Sequence, residues 1–225
     1  MAEQAARWRS RYVVAIALAV AALFVYASAL DSSPVYLTKD EASYAIQAHA
    51  IATTGHDTNG RRFPVFFQEN GFSIGRDPIY IYATAALLTF KPMTAGVLRI
   101  PTATAAAVAV GMIVLVADEL YANLALAGAT GLLLLVTPAF FIRGRAALSV
   151  ILPVPFQLMW LWCLLRYVRT GRLRDIGIST VALGIGVYSY LSMLFFAPVH
   201  LVFSLAEIAR QKQWRHAVIV LAVFA

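Results

Sequence analysis

Tyr12-Val-Val-Ala-Ile-Ala-Leu-Ala-Val-Ala-Ala-Leu-Phe-Val-Tyr-Ala-Ser-Ala-Leu30 is an uncharged apolar run, close to the length of about 20 residues that a helix needs to cross the hydrocarbon of a bilayer. A long stretch of mixed composition follows it, residues 31–95, and near its start stands Thr38-Lys-Asp-Glu-Ala-Ser-Tyr44. An acidic pair just beyond the exit of a first membrane span, opening a long loop on the far side, is a place where a membrane-embedded protein can hold a base.

Outward from this break the pattern repeats. Apolar stretches over about 96–117, 122–141, 147–168, 176–190 and 191–209, with another starting at 217, are read as further spans on the same length rule. The chain is 61% apolar and 13% charged, which excludes an ordinary soluble domain. Backbone amides in lipid must pair within their own segment, and no run of alternating ten-residue strands marks a barrel, so helices remain. The expected fold is all-α: a polytopic transmembrane helical bundle whose long outer loop, 31–95, carries short interfacial helices. The single cysteine, Cys163, falls inside an apolar run and is read as a packing residue.

Arg7, Arg9 and Arg11 precede the first span, Arg166, Arg169, Arg172 and Arg174 follow the fourth, and Arg210, Lys212 and Arg215 follow the sixth. With alternating spans these groups share one side, which the positive-inside rule makes cytoplasmic. The N-terminus is then cytoplasmic, the loops 31–95 and 142–146 face outward, and the expected location is the plasma (inner) membrane, multi-pass. The net charge of +7 is a topology signal, with no reason to invoke a nucleic-acid partner. Ala27-Ser28-Ala29 after an apolar stretch also resembles a signal-peptide cleavage site, but the run exceeds the about 7–15 residues of a signal core, which favours an uncleaved anchor. The apolar run Ala217 to Ala225 is under half a crossing. The expectation is that the sequence is the N-terminal part of a longer protein.

Within the loop, Thr38 and Glu41 have capping-box spacing, Asp40 sits where a negative charge suits the helix dipole, and Gly55 is a natural stop. These predict a helix over 39–54. Gly55-His-Asp-Thr-Asn-Gly60 reads as a turn, and Asp77-Pro78 as the N-cap and first residue of a second helix, 78–90, with Tyr80 and Tyr82 suited to the headgroup zone.

Asp40-Glu41-Ala-Ser-Tyr44, Thr54-Gly55-His-Asp-Thr-Asn-Gly60-Arg-Arg-Phe-Pro64, Pro78-Ile-Tyr-Ile-Tyr82 and Leu98-Arg99-Ile-Pro101, followed by Arg143-Gly-Arg145-Ala-Ala-Leu148 and Tyr188-Ser-Tyr190, occur in an order that resembles the N-terminal half of GT-C membrane glycosyltransferases. The similarity is to the branch of protein O-mannosyltransferases and the lipid A aminoarabinose transferase. It implies an enzyme that moves a sugar from a polyprenyl-phosphate-linked donor to a lipid, glycan or protein acceptor at the extracytoplasmic face. Asp40, with Glu41, would then act on the acceptor hydroxyl, since a hydroxyl becomes a good nucleophile when a positioned base takes its proton. Arg76, Arg143 and Arg145 would hold the donor phosphate, a task suited to the guanidinium fork. Tyr44, Tyr188 and Tyr190 would line the substrate site. Membrane lipids are further partners.

Each residue also has a plainer reading. Asp40 and Glu41 serve a helix start, Asp77 is an N-cap, Arg143 and Arg145 are interfacial anchors, Tyr188 and Tyr190 belong to an aromatic belt, and His49 and His56 are structural or solvated. Asp118-Glu119 reads as a solvated loop between spans. Two departures from the family pattern stand out: no carboxylate follows the basic pair in Ala146-Ala-Leu-Ser149-Val-Ile-Leu-Pro153, and Arg76-Asp77-Pro78 replaces a Lys-Pro-Pro motif. No cofactor is certain from the sequence, although the Asp40–Glu41 pair offers oxygen ligands for a divalent cation. The competing functions are a transporter or flippase for a lipid-linked substrate, for which Pro153 and Pro155 allow a broken helix, and a non-catalytic membrane subunit.

Overall fold

The computed structural model describes residues 2–69 and 72–224, the side chains of 2–8 and 69–76 excepted. The bundle is organised around α4 (Ala95–Tyr121), whose buried residues between Thr102 and Gly111 are mostly small, Ala103, Ala106, Ala107 and Ala109 among them. Small residues let helix backbones approach closely where the solvent supplies no hydrophobic drive, the usual basis of packing in membranes. Gly111 shows how close: a Cβ there would lie 2.9 Å from the Ala15 carbonyl oxygen of α1 (Ala2–Ala27). On another face of α4, a Cβ at Gly131 of α5 (Leu124–Val136) would meet Val114 Cγ2 at 2.6 Å.

The expected span 122–141 is two helices. Pro138 opens α6 (Pro138–Arg145), and the residue before a proline is driven out of the α region; Thr137 is extended (φ −63°, ψ 117°), and the axes bend by 61°. A 3-10 turn at Ser149–Ile151 leads into α7 (Pro153–Thr170). With α8 (Leu173–Val187), α9 (Met193–Arg210) and α10 (Trp214–Phe224) it forms a second group of helices, cored by Trp160, Leu164, Tyr167, Ile176, Leu183, Met193 and Ile208. Trp160 ties three of these helices: its indole N–H donates to Ser204 Oγ at 3.0 Å, and its carbonyl accepts from Ser179 Oγ at 3.1 Å. Among the described residues four helices are long and apolar enough to cross a membrane, within 9–27, 95–121, 149–170 and 193–210, and the bent pair α5–α6 would be a fifth. The protein is an all-α membrane bundle.

One end of the bundle is ionic. Arg11 lies 3.0 Å from Glu119 and 3.6 Å from Asp118, Arg169 lies 3.2 Å from Glu119, and Arg166 lies 3.3 Å from Asp175. Asp118 and Glu119, expected in a solvated loop, instead close α4 and are buried at 3% and 4%. The helix runs four residues past its apolar stretch because cations from α1 and α7 converge on its last turn.

The other end carries the loop. Helix α2 (Lys39–Thr54) has the predicted bounds, with both capping-box hydrogen bonds formed and Gly55 in the left-handed region (φ 71°). A two-stranded antiparallel hairpin, β1 (Phe67–Glu69) and β2 (Phe72–Arg76), follows, an element the sequence reading did not foresee. Helix α3 (Pro78–Leu88) stops two residues before the predicted end. Tyr44, Ala48, Ile51, Phe67, Tyr80, Ile81 and Leu98 form one core that fastens this loop to α4.

Candidate functional site

Two buried arginines set the loop on the bundle. Arg99, in the second turn of α4, has no exposed surface. Its guanidinium donates to the carbonyls of Leu30 (2.7 Å), Pro34 (2.8 Å) and Tyr36 (3.3 Å) and to Glu41 Oε1 (3.3 Å). Arg145 donates to the carbonyls of Val25 (3.1 Å), Tyr26 (3.0 Å) and Ser33 (3.0 Å) and to Ser28 Oγ (3.3 Å). Five fixed donors on a planar group suit this gathering of carbonyls, and together the two side chains hold the segment that leaves α1.

Glu41 is the counterpart on α2. Its Oε1 also accepts the Ala147 N–H at 2.7 Å, and its Oε2 accepts the Thr38 N–H at 2.8 Å. Burial pushes this carboxyl up, but the N–H groups of Thr38 and Ala147 and the Arg99 charge outweigh it and hold the group below its ordinary range. Glu41 is 1% exposed, and its contacts make it a fastener between the loop and the span ends. Asp40, one residue earlier, is exposed on the first turn of α2.

Tyr44, one turn further along α2, is buried. Its hydroxyl donates to Asp77 Oδ2 at 2.9 Å and lies 2.8 Å from Ser149 Oγ, while Ser149 also hydrogen-bonds Asp77 Oδ2. Asp77 precedes α3 as predicted, but its side chain makes no capping hydrogen bond there. Asp77 thus holds the expected N-cap position, while its side chain turns to Tyr44 and Ser149. Tyr188, 42% exposed, stacks on Phe66 with centroids 5.5 Å apart, and its carbonyl accepts the Ile79 N–H at 3.2 Å. Tyr190 is half-buried in the same connection. Arg143 is exposed in the last turn of α6. Arg76 ends β2, and its side chain lies outside the described residues.

Among the described residues no three His, Cys, Asp or Glu side chains converge as a metal site. Both Glu41 oxygens already accept hydrogen bonds, so a divalent cation at the acidic pair would rest on Asp40.

Apolar space lies beside these polar groups. A cavity of about 650 Å³ between α3, α4, α7 and α8 is lined by Ile79, Pro101, Thr104, Leu152, Phe156 and Ile185, among others. A second, of about 690 Å³, lies against α8, α9 and α10 and shares Ile79, Val181 and Ile185 with the first. A third, of about 380 Å³, sits under the loop between Phe63, Pro64, Tyr82 and Tyr188, and again includes Ile79. Ile79 is the residue common to all three, two positions from Asp77.

The sequence reading used Arg99 only as a landmark and gave Ser149 no role. An arginine entering an apolar span is itself a signal of a buried partner. Ser149 offers no comparable local signal.

A helical membrane bundle with an acidic helix fastened over its span ends, beside apolar cavities, defines a class of membrane-embedded protein whose polar groups work at one end of the spans. The family model described as dolichyl-phosphate-mannose-protein mannosyltransferase matches residues 77–225, more than half of the chain, and the chain belongs to that family. It is a membrane glycosyltransferase by class. No curated protein and no solved structure matches the chain.

Proposed function

We propose that this chain forms the part of a membrane glycosyltransferase that receives a polyprenyl-phosphate-linked sugar and transfers the sugar to an acceptor hydroxyl at the extracytoplasmic face. The observation that carries the reading is the meeting of apolar cavity and polar loop at Ile79 and Tyr188, the arrangement a substrate with an isoprenoid tail and a charged head requires. Asp40 is the base: exposed where an acceptor can approach, it takes the hydroxyl proton as the oxygen attacks the anomeric carbon and the carrier phosphate leaves. Glu41 positions it through Arg99 and Ala147. Arg143 holds the phosphate and offsets its charge; Arg76 shares that role by its place in the loop. Tyr188 and Tyr190 flank the sugar. The arginine-rich ends at Arg11, Arg166, Arg169 and Arg174 support a cytoplasmic placement of the opposite side.

The family description names mannose and a protein acceptor; here the sugar and the acceptor, whether lipid, glycan or protein, are set by a screen. The test is transfer of radiolabelled sugar from polyprenyl-phosphate sugars to membrane acceptors by wild type and Asp40→Asn at matched expression. Loss of transfer in the variant with an unchanged melting temperature supports the reading; equal transfer by both removes Asp40 from the chemistry. The bend between α5 and α6 favours one alternative, a flippase with a broken span, and that reading predicts movement of the carrier lipid between leaflets with no sugar transferred.

A further inference from the structure

Asp77 is 5% exposed, and its Oδ2 contacts the Tyr44 hydroxyl at 2.9 Å and the Ser149 hydroxyl. The two hydroxyl oxygens also lie 2.8 Å from each other. Three oxygens therefore make three mutual contacts, and each contact needs one proton between its oxygens. An ionised carboxylate is acceptor-only, so the hydroxyls would supply two protons for three contacts. One pair of oxygens would then face each other lone pair to lone pair in a buried site, where an unmade hydrogen bond is most costly. A neutral carboxyl brings the third proton and satisfies all three.

Burial acts in the same direction. It pushes the Asp77 carboxyl above its ordinary range, against hydrogen bonds from Ser149, Tyr44 and the Leu191 N–H that pull it down. The titratable and charged groups on the surrounding elements include Lys39, Asp40, Glu41, Tyr44 and His49 on α2, Tyr80 and Tyr82 on α3, Arg99 on α4, Arg145 before the 3-10 turn, and Tyr188 and Tyr190 between α8 and α9. Glu41 and Arg99 face each other, Arg145 is turned to carbonyls in the last turn of α1, and Tyr80 packs edge-on against Tyr44 with centroids 5.0 Å apart. The side chain of Arg76 lies outside the described residues.

We propose that Asp77 is a neutral carboxylic acid in the folded protein, and that its ring with Tyr44 and Ser149 is a positioning device holding the Asp40-bearing helix α2 against the start of α7. The ring joins residues 33 and 105 positions apart in the chain. Asp77 is thus a positioning residue that acts on the site through Tyr44. The activity arm of the test rests on the proposed function; the spectroscopic arm does not.

The experiment is infrared difference spectroscopy of the purified full chain against Asp77→Asn, from acid to alkaline pH. The expected result is a protonated-carboxyl C=O band at pH 7 that is missing in the variant and fades as pH rises. Absence of that band from wild type at pH 7 overturns the proposal. Tyr44→Phe removes one member of the ring and is expected to shift the band; an unmoved band overturns the ring assignment even where Asp77→Asn folds poorly. Melting against pH gives a second reading. A folded-state acid raised above its unfolded range contributes stability that is full at low pH and lost as pH rises through the folded value. Wild type is expected to lose stability as pH rises from the ordinary carboxyl range to the folded value, and Asp77→Asn to lack this loss. In the transfer assay the variant is expected to remain active at neutral pH with the alkaline limb of its pH profile displaced, whereas a loss of about 100-fold or more at every pH, the mark of a missing acid–base group, overturns the positioning role. If wild type transfers nothing, the proposed function fails while the infrared bands still decide the state of Asp77.

Discussion

Arg99→Met is the perturbation that most directly tests how the candidate site is built. Methionine keeps much of the side-chain length but removes the charge facing Glu41 and the donors to Leu30, Pro34 and Tyr36. Pro34 is half-buried and Tyr36 exposed, so water can replace the arginine at those carbonyls. Leu30 is 6% exposed and Glu41 1%, so water reaches them poorly. Breaking a buried ion pair by removing one partner costs about 3–5 kcal/mol. Glu41 keeps the N–H groups of Thr38 and Ala147, which argues for about 4 kcal/mol, toward the middle of that range. At roughly 2–4 °C per kcal/mol for a chain of this size, the melting temperature should fall on the order of 10 °C. The assay is thermal unfolding of purified wild type, Arg99→Met, Glu41→Gln and the double variant in one detergent. The double variant should be less destabilised than the sum of the singles by about 1–3 kcal/mol, because the pair is removed only once. A single variant melting within about 2 °C of wild type, or strict additivity, would refute the reasoning.

Glu41 also makes a prediction about pH. Its folded-state carboxyl is held below the ordinary range, so its contribution is present above the unfolded value and lost as pH falls through the folded one; wild type should lose melting temperature on acidification, and Glu41→Gln should lose less. Thr38→Ala removes the side-chain half of the capping box and should cost about 1 kcal/mol, read as increased hydrogen exchange in α2; unchanged exchange would show that the Arg99 clamp alone holds the helix. Ile79→Trp places bulk where the three apolar cavities meet, and is expected to raise the KM for the lipid-linked donor more than it lowers kcat; an equal fall in kcat with KM unchanged would place the carrier chain elsewhere.

Class and local structure were legible in the chain because both rest on local rules. Span-length apolar runs identify a helical membrane bundle, and the Thr38–Glu41 spacing with Gly55 sets both ends of α2 through hydrogen bonds made within a few residues. Pro138 carries the signal for the α5–α6 break, but the apolar run continues across it and a reading by hydrophobicity joins the two helices. The pairing of β1 with β2 has no clear sequence signal because the strands are short and show no sustained alternation.

The sequence alone determined that polar residues collect near the span ends, and which of them have the chemistry to act. Only the tertiary structure decided how each is used. Arg145, sought as a phosphate ligand, faces carbonyls in the last turn of α1, while Arg143 two residues away is exposed. Asp118 and Glu119 are gripped by arginines from α1 and α7. No carboxylate stands in the stretch 146–153 that follows Arg145, yet Asp77 arrives beside Ser149 from 72 positions away. Such pairings depend on which helix faces meet and at what height along their axes, a property of packing between distant segments that no local pattern of residue types encodes.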